Sequence, residues 1–174
     1  MSRIHGTPSD DYIEATQSDD VIFGYSGDDT LVGKSGNDII HGGQGNDLIQ
    51  GGEDEDSLYG ESGDDFLLGG SERDRLFGGN GDDVLVGGEG DDRLDGGPGN
   101  DVYIYAPGDG FDTIEDESGI DILRLDEIFS NEITVDFVIG GWLCVSYQGQ
   151  PIVKMRGVEH IQVEDGLFSV AHWL

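Results

Sequence analysis

Aspartate stands at Asp11, Asp20, Asp29, Asp38, Asp47, Asp56, Asp65, Asp74, Asp83, Asp92 and Asp101, one at every ninth position between Gly6 and Ile104. Acids fill 38 of 174 positions, so eleven in phase by chance has odds on the order of 10⁻⁷, and the spacing must be structural. An ionised carboxylate accepts hydrogen bonds and ligates hard cations through oxygen. Rows of them at a fixed interval suit divalent metal binding better than acid and base catalysis, which needs two groups held in different environments.

The elements that carry these carboxylates follow from the rest of the unit. Gly42-Gly43-Gln44-Gly45-Asn46-Asp47-Leu48-Ile49-Gln50 and Gly78-Gly79-Asn80-Gly81-Asp82-Asp83-Val84-Leu85-Val86 give the pattern GGxGxDxUx, where U is a large aliphatic. The eighth position is Ile13, Ile22, Leu31, Ile40, Ile49, Leu58, Leu67, Leu76, Leu85 and Leu94, then Tyr103. Each unit reads as about six residues of turn, rich in Gly, Asn and Asp that accept positive φ, and three extended residues with the middle one inward. Glycine at this density excludes a helix. If each turn reverses the chain, two units close a coil of 18 residues and strand n stacks on strand n+2. The expected fold is all-β: a parallel β-roll, two short-stranded sheets with the aliphatics between them, followed by a small cap of β-strands.

Stacked strands lie about 4.8 Å apart. Asp11, Asp29, Asp47, Asp65, Asp83 and Asp101 then face one another along one edge, and Asp20, Asp38, Asp56, Asp74 and Asp92 along the other. Calcium takes six to eight oxygens at about 2.3 to 2.6 Å, so an ion between neighbouring turns reaches both. Backbone carbonyls complete the shell where glycine exposes them: Gly24, Gly27, Gly33, Gly36, Gly42, Gly43, Gly45, Gly60, Gly63, Gly78, Gly79, Gly81, Gly87, Gly88, Gly90, Gly96, Gly97 and Gly99. Magnesium, with its short octahedral bonds, fits such a cradle poorly, and zinc lacks His and Cys ligands. The competing explanation is that each Asp only caps its own turn. One buried aliphatic per nine residues is little against the entropy of ordering them, and rows of bare carboxylates add repulsion. The repeat is therefore expected to be largely unfolded without calcium.

These units resemble the nonapeptide repeats of the RTX (repeat-in-toxin) family. The resemblance implies a right-handed parallel β-roll, calcium held between turns on both edges, and export by type I secretion machinery followed by folding in external calcium. Affinities of about 10⁻⁴ to 10⁻³ M, usual for extracellular modules, would leave such sites empty in cytosol. A secreted or cell-surface location follows from the resemblance.

The edges differ. Turns starting at Gly24, Gly42, Gly60, Gly78 and Gly96 keep glycine at position four, whereas the opposite edge has Asp54 and Glu72 there, the latter beside Arg73. Positive φ is disfavoured for such residues, so geometry or occupancy should suffer on that edge. We expect roughly six to nine ions. Residues 1–23, with Ser9 and Ser18 in place of glycine, read as degenerate first repeats and an N-terminal cap; 24–104 as the calcium-binding roll; 105–174 as capping strands. After a two-residue insertion, Gly108-Asp109-Gly110-Phe111-Asp112-Thr113-Ile114 is similar to the exit of RTX rolls, with Asp112 expected to pair with Asp92. Alternation then predicts strands at 121–125, 133–139, 142–147, 152–155 and 158–163, with turns at Gly140-Gly141 and Gln148-Gly149-Gln150. An open solenoid end needs such a cap.

The composition closes other routes. Eight Lys plus Arg and a net charge of -30 exclude a nucleic-acid binder and disfavour an anionic membrane. No apolar run reaches the roughly 18 residues of a membrane span, and Met1 to Tyr12 lacks the apolar core of a signal peptide. None of His5, His41, His160 or His172 belongs to an HExxH site. Ser26, Ser35 and Ser62 sit in GxSG rather than GxSxG, and Gly33-Lys34-Ser35 is out of register with a phosphate loop. Cys144 reads as a small buried strand residue. No catalytic role is expected. The functional expectation is a calcium-binding module that folds on ion binding and stabilises, or aids export of, the rest of a parent protein. The alternative is a carbohydrate-binding or adhesive module, for which Trp142, Tyr147 and Trp173 would supply an aromatic surface for a polysaccharide.

Overall fold

The computed structural model describes residues 1–116, 118–138 and 140–170. Its strands are β1 (Ser2–His5), β2 (Tyr12–Glu14), β3 (Asp20–Ser26), β4 (Thr30–Ser35), β5 (Ile39–Gln44), β6 (Leu48–Glu53), β7 (Ser57–Ser62), β8 (Phe66–Ser71), β9 (Arg75–Asn80), β10 (Val84–Glu89), β11 (Arg93–Asp95), β12 (Val102–Tyr105), β13 (Asp112–Glu115), β14 (Ile122–Leu125), β15 (Ile133–Val138), β16 (Trp142–Tyr147), β17 (Gln150–Arg156), β18 (His160–Val163) and β19 (Gly166–Ser169). Odd strands β1 to β13 form one parallel sheet and even strands β2 to β14 the other, each strand beside the one two places later. The register is 18 residues, Leu31 opposite Ile49 opposite Leu67, and becomes 20 across the insertion, Leu94 opposite Ile114 and Tyr103 opposite Leu123.

The strands are longer than the three residues expected. Thr30–Ser35 runs through both Leu31 and Gly33, and both are buried. A glycine pointing inward leaves room that a side chain would fill, so the extended segment continues into what reads as turn. The aliphatics from Ile22 to Leu85 are fully buried in a single file between the sheets. The file begins a strand earlier than the repeat suggests, because β1 pairs with β3 and sets Ile4 opposite Ile22.

Beyond the insertion the parallel ladders continue into β17 and β18, which pair with β13 and β14. Antiparallel partners finish each sheet: β16 and β15 beyond β17, and β19 beside β18. The expected hairpin turns are present, with Gly140, Gly141, Gln148 and Gly149 all at positive φ. β19 was not foreseen, since Gly166-Leu167-Phe168-Ser169 is too short to show alternation. Cys144 is only half-buried, because inward Leu143 and Val145 flank it and strand alternation turns it to the other face. Trp142 carries Lys154 Nζ 4.2 Å from its ring centroid. Trp173, His172 and the C-terminal tetrapeptide lie outside the described residues. No helix among the described residues is long and apolar enough to cross a membrane.

Candidate metal centre

Each repeat Asp follows a turn and opens a strand, so its side chain enters the coil edge and meets its counterpart one coil away. The backbone N–H of Asp11 donates to Asp29 Oδ1 at 2.7 Å, and the same bond links Asp29 to Asp47, Asp47 to Asp65, Asp65 to Asp83 and Asp83 to Asp101 at 2.7 to 2.9 Å. On the opposite edge Asp20, Asp38, Asp56, Asp74 and Asp92 are joined in the same way at 2.7 to 2.8 Å. Both rows cross the insertion: Asp92 reaches Asp112 at 3.0 Å, as the sequence suggested, and Asp101 reaches Asp121 at 2.8 Å.

These bonds use only half of each carboxylate. Oδ2 of Asp29, Asp38, Asp47, Asp56, Asp65, Asp74, Asp83, Asp92, Asp101 and Asp121 is buried without a hydrogen-bond partner. Oδ1 bonds to the neighbouring coil rather than within its own turn, so turn capping does not explain the row, and a buried Oδ2 left without a donor carries a desolvation cost. The first glycine of each turn explains why the oxygen fits. A β-carbon on Gly60 would overlap both Asp65 Oδ2 and the carbonyl oxygen of Gly78 in the next turn. Each turn thus encloses a small space bordered by a carboxylate oxygen and a neighbouring carbonyl. The donor set is oxygen only, and it fits calcium by the chemistry of its ligands.

Electrostatics agree. Burial, opposed by the neighbour's N–H and reinforced by adjacent carboxylates, pushes Asp38 and Asp65 up to about 6, Asp47, Asp56, Asp83 and Asp101 to about 7, and Asp74 and Asp112 to about 8. Asp92 and Asp121 rise to about 6 for the same first reason. Asp20 goes the other way, to about 2, because the Thr16 hydroxyl and N–H satisfy its Oδ2. The Thr7 N–H and hydroxyl likewise donate to Asp11 Oδ2. In these first turns hydrogen-bond donors therefore stand where the later turns leave a bare oxygen.

The edge carrying Asp54 and Glu72 keeps the same Asp-to-Asp geometry, so of the expected cost in geometry or occupancy the geometric one is absent. Both residues adopt the positive φ of the glycines they replace, 79° and 71°. Their carboxylates also bind across turns: Asp54 Oδ2 accepts from Gly36 N–H and Glu72 Oε2 from Asp54 N–H, each at 3.1 Å. Position two imposes the same conformation, and Tyr25, Lys34 and Glu61 take it at φ of 84°, 85° and 78°. Ordering by the flanking ladders holds these residues in a region that costs each of them about 1 to 3 kcal/mol.

The sequence reading missed Asp121 and Asp116. The signal was present: Asp121 lies nine residues after Asp112, with Gly119 two before it and Leu123 two after, so the period resumes beyond the insertion. Asp116 falls at the position where the other late turns have their first glycine. Oxygens of Asp101, Asp116 and Asp121 lie within 4.8 Å of one another, and all three residues are buried. A second exposed ladder also went unread, in which the position-five side chain accepts the next turn's N–H, as Asn46 N–H donates to Asp28 Oδ1 at 2.8 Å and Asp82 N–H to Asp64 Oδ1 at 2.9 Å.

Two sheets wound in parallel, with buried carboxylate rows along both edges, define the class of calcium-binding β-roll proteins. The chain belongs to the RTX calcium-binding nonapeptide repeat family, whose profile matches it over residues 5–40, 32–67, 41–76 and 68–103. No curated protein matches it. Among solved structures it is similar to the extracellular lipase LipA from Serratia marcescens, at 17% identity and a TM-score of 0.36. That match covers 90% of this chain and 38% of the lipase.

Proposed function

We propose that this chain is a calcium-dependent folding module of a secreted protein, with the aspartate rows as its ligands. The buried, unpartnered Oδ2 atoms carry this reading: ten of them occur in two files among the described residues, and a buried carboxylate must either take up a proton or sit beside a cation. Bound calcium would supply the positive charge between turns. The chain's own part is to position Asp29 through Asp121 by Oδ1 bonds, to keep the cradle open with the first glycine, and to present carbonyls to it. Thr7 and Thr16 close the start of each row by hydrogen bonding, so residues 1–23 serve as the cap and roughly six to nine ions fill the turns that follow. Residues 105–174 end the sheets, and their antiparallel strands cover what would be open edges.

In this reading the chain crosses type I secretion machinery unfolded and orders itself on meeting millimolar calcium, stabilising the rest of a parent protein. No catalytic role is assigned to it. A glycan-binding surface is less well supported. His5, Phe23, His41, Tyr59 and Phe77 stack on one another with centroids 4.9 to 5.3 Å apart, so the faces between them are occupied. The Trp142 face is covered by Lys154. Circular dichroism during a calcium titration, with magnesium as control, tests the proposal. A cooperative gain of strand signal at submillimolar to millimolar calcium is expected, and an unchanged folded spectrum in excess chelator would defeat it.

A further inference from the structure

We infer that the end of the roll holds one cation site unlike the others, built from three carboxylates, Asp101, Asp116 and Asp121. This rests on the calcium-binding reading above and goes past it, because the repeat supplies only two of these groups. Residues 116–124 align with one unit of the repeat, since Gly99 and Ser118 are bonded across the coil and Gly119 stacks on Gly99. In that unit the first position is Asp116 rather than glycine. At Gly60 and Gly78 a side chain in this place would enter the cradle. Here one does, and it ends in a carboxylate.

Three further observations show that the site is buried and preorganised. Asp101 and Asp121 each bring a carboxylate oxygen to the cluster, and Oδ2 of both is buried and unpartnered. Both residues are 0% exposed, and Asp116 is 5% exposed. Their Oδ1 atoms are fixed by Asp83 N–H and Asp101 N–H, so the free oxygens cannot turn away to solvent. Asp116 is fixed as well, accepting from Ser118 N–H at 3.0 Å and from the Tyr103 hydroxyl. That tyrosine replaces the usual aliphatic at the eighth position, and its hydroxyl also accepts from Gly96 N–H at 2.7 Å. A third anion in a buried, preorganised site raises the attraction for a hard cation above that of a two-carboxylate turn and favours higher charge. The site should therefore fill first and prefer a trivalent probe.

Terbium, whose emission is sensitised by a nearby tyrosine, tests this on the full chain. The first ion bound per molecule should give tyrosine-sensitised emission through Tyr103, ahead of the remaining ions counted by native mass spectrometry. Asp116→Gly restores the residue found at this position in other turns, so the roll should still fold in calcium. It should move the first phase to at least tenfold higher terbium, whereas Asp47→Asn should leave that phase in place. Tyr103→Phe should keep the ion count and dim the first-phase emission. A first phase unchanged in Asp116→Gly, moved equally by Asp47→Asn, or undimmed in Tyr103→Phe would overturn the inference. Absence of any calcium or terbium uptake by the unaltered chain would instead sink the calcium-binding reading itself.

Discussion

Asp83→Asn should change stability in opposite directions with and without calcium. Asp83 is 0% exposed and burial lifts its carboxyl to about 7. Against an ordinary value near 4, and at 1.36 kcal/mol per pKa unit, its charge costs the calcium-free roll roughly 4 kcal/mol at pH 8. Asparagine keeps the oxygen that accepts Asp65 N–H at 2.8 Å and replaces the unpartnered Oδ2 with an uncharged NH₂ bordering the Gly96 carbonyl. The calcium-free form should gain roughly 2 to 4 kcal/mol. With calcium at a hundred times its Kd each ion contributes about 2.7 kcal/mol. Asp83 is bonded to both Asp65 and Asp101, so the missing charge should cost the two ions it borders, about 5.4 kcal/mol, and outweigh the calcium-free gain by roughly 1 to 3 kcal/mol. The assay is far-UV circular dichroism in two arms at pH 8. Urea unfolding in saturating calcium should show a lower midpoint for the variant. Folding in chelator driven by trimethylamine N-oxide, which strengthens burial, should need less of the osmolyte. A shift of the same sign in both arms, or none in chelator, would refute the claim that uncompensated charge keeps the roll open.

Two further outcomes follow from the same geometry. Carboxyls raised to between about 6 and 8, from Asp38 and Asp65 up to Asp74 and Asp112, bind protons more tightly folded than unfolded. Calcium-free stability should then fall as pH rises from about 4 to 8 and return on acidification; the folded fraction measured in chelator across that range checks the sign, and calcium uptake near pH 7 should release protons. Gly60→Ala should abolish at least one ion and lower the calcium-loaded stability by about 1 to 3 kcal/mol, since its β-carbon would overlap Asp65 Oδ2 and the Gly78 carbonyl. Gly149→Ala, where nothing lies within 4 Å of the new carbon, should leave the ion count intact; equal ion loss in both variants, by native mass spectrometry, would show that the cradle is not the cause.

The linear sequence determined the roll itself. A period of nine with Asp at six and an aliphatic at eight can be satisfied only if every second strand stacks, because the aliphatics must share one interior and the turns must share an edge. That logic gave the 18-residue register, the pairing of Asp92 with Asp112, and most of the strands beyond the insertion. Tertiary structure decided how each carboxylate is used. Oδ1 is committed to a backbone N–H 18 or 20 residues away, and Oδ2 to a space that its own turn's first glycine opens and a carbonyl of the neighbouring coil closes, relations that no single unit contains. It also decided that Asp54 and Glu72 leave the Asp-to-Asp bonds of their edge in place, since the ladders on either side impose their φ and their side chains bond across turns. Asp116 joins Asp101 and Asp121 because the period resumes at residue 116 with an aspartate at the position that the repeat reserves for glycine, and the 20-residue register stacks that turn on the one holding Asp101.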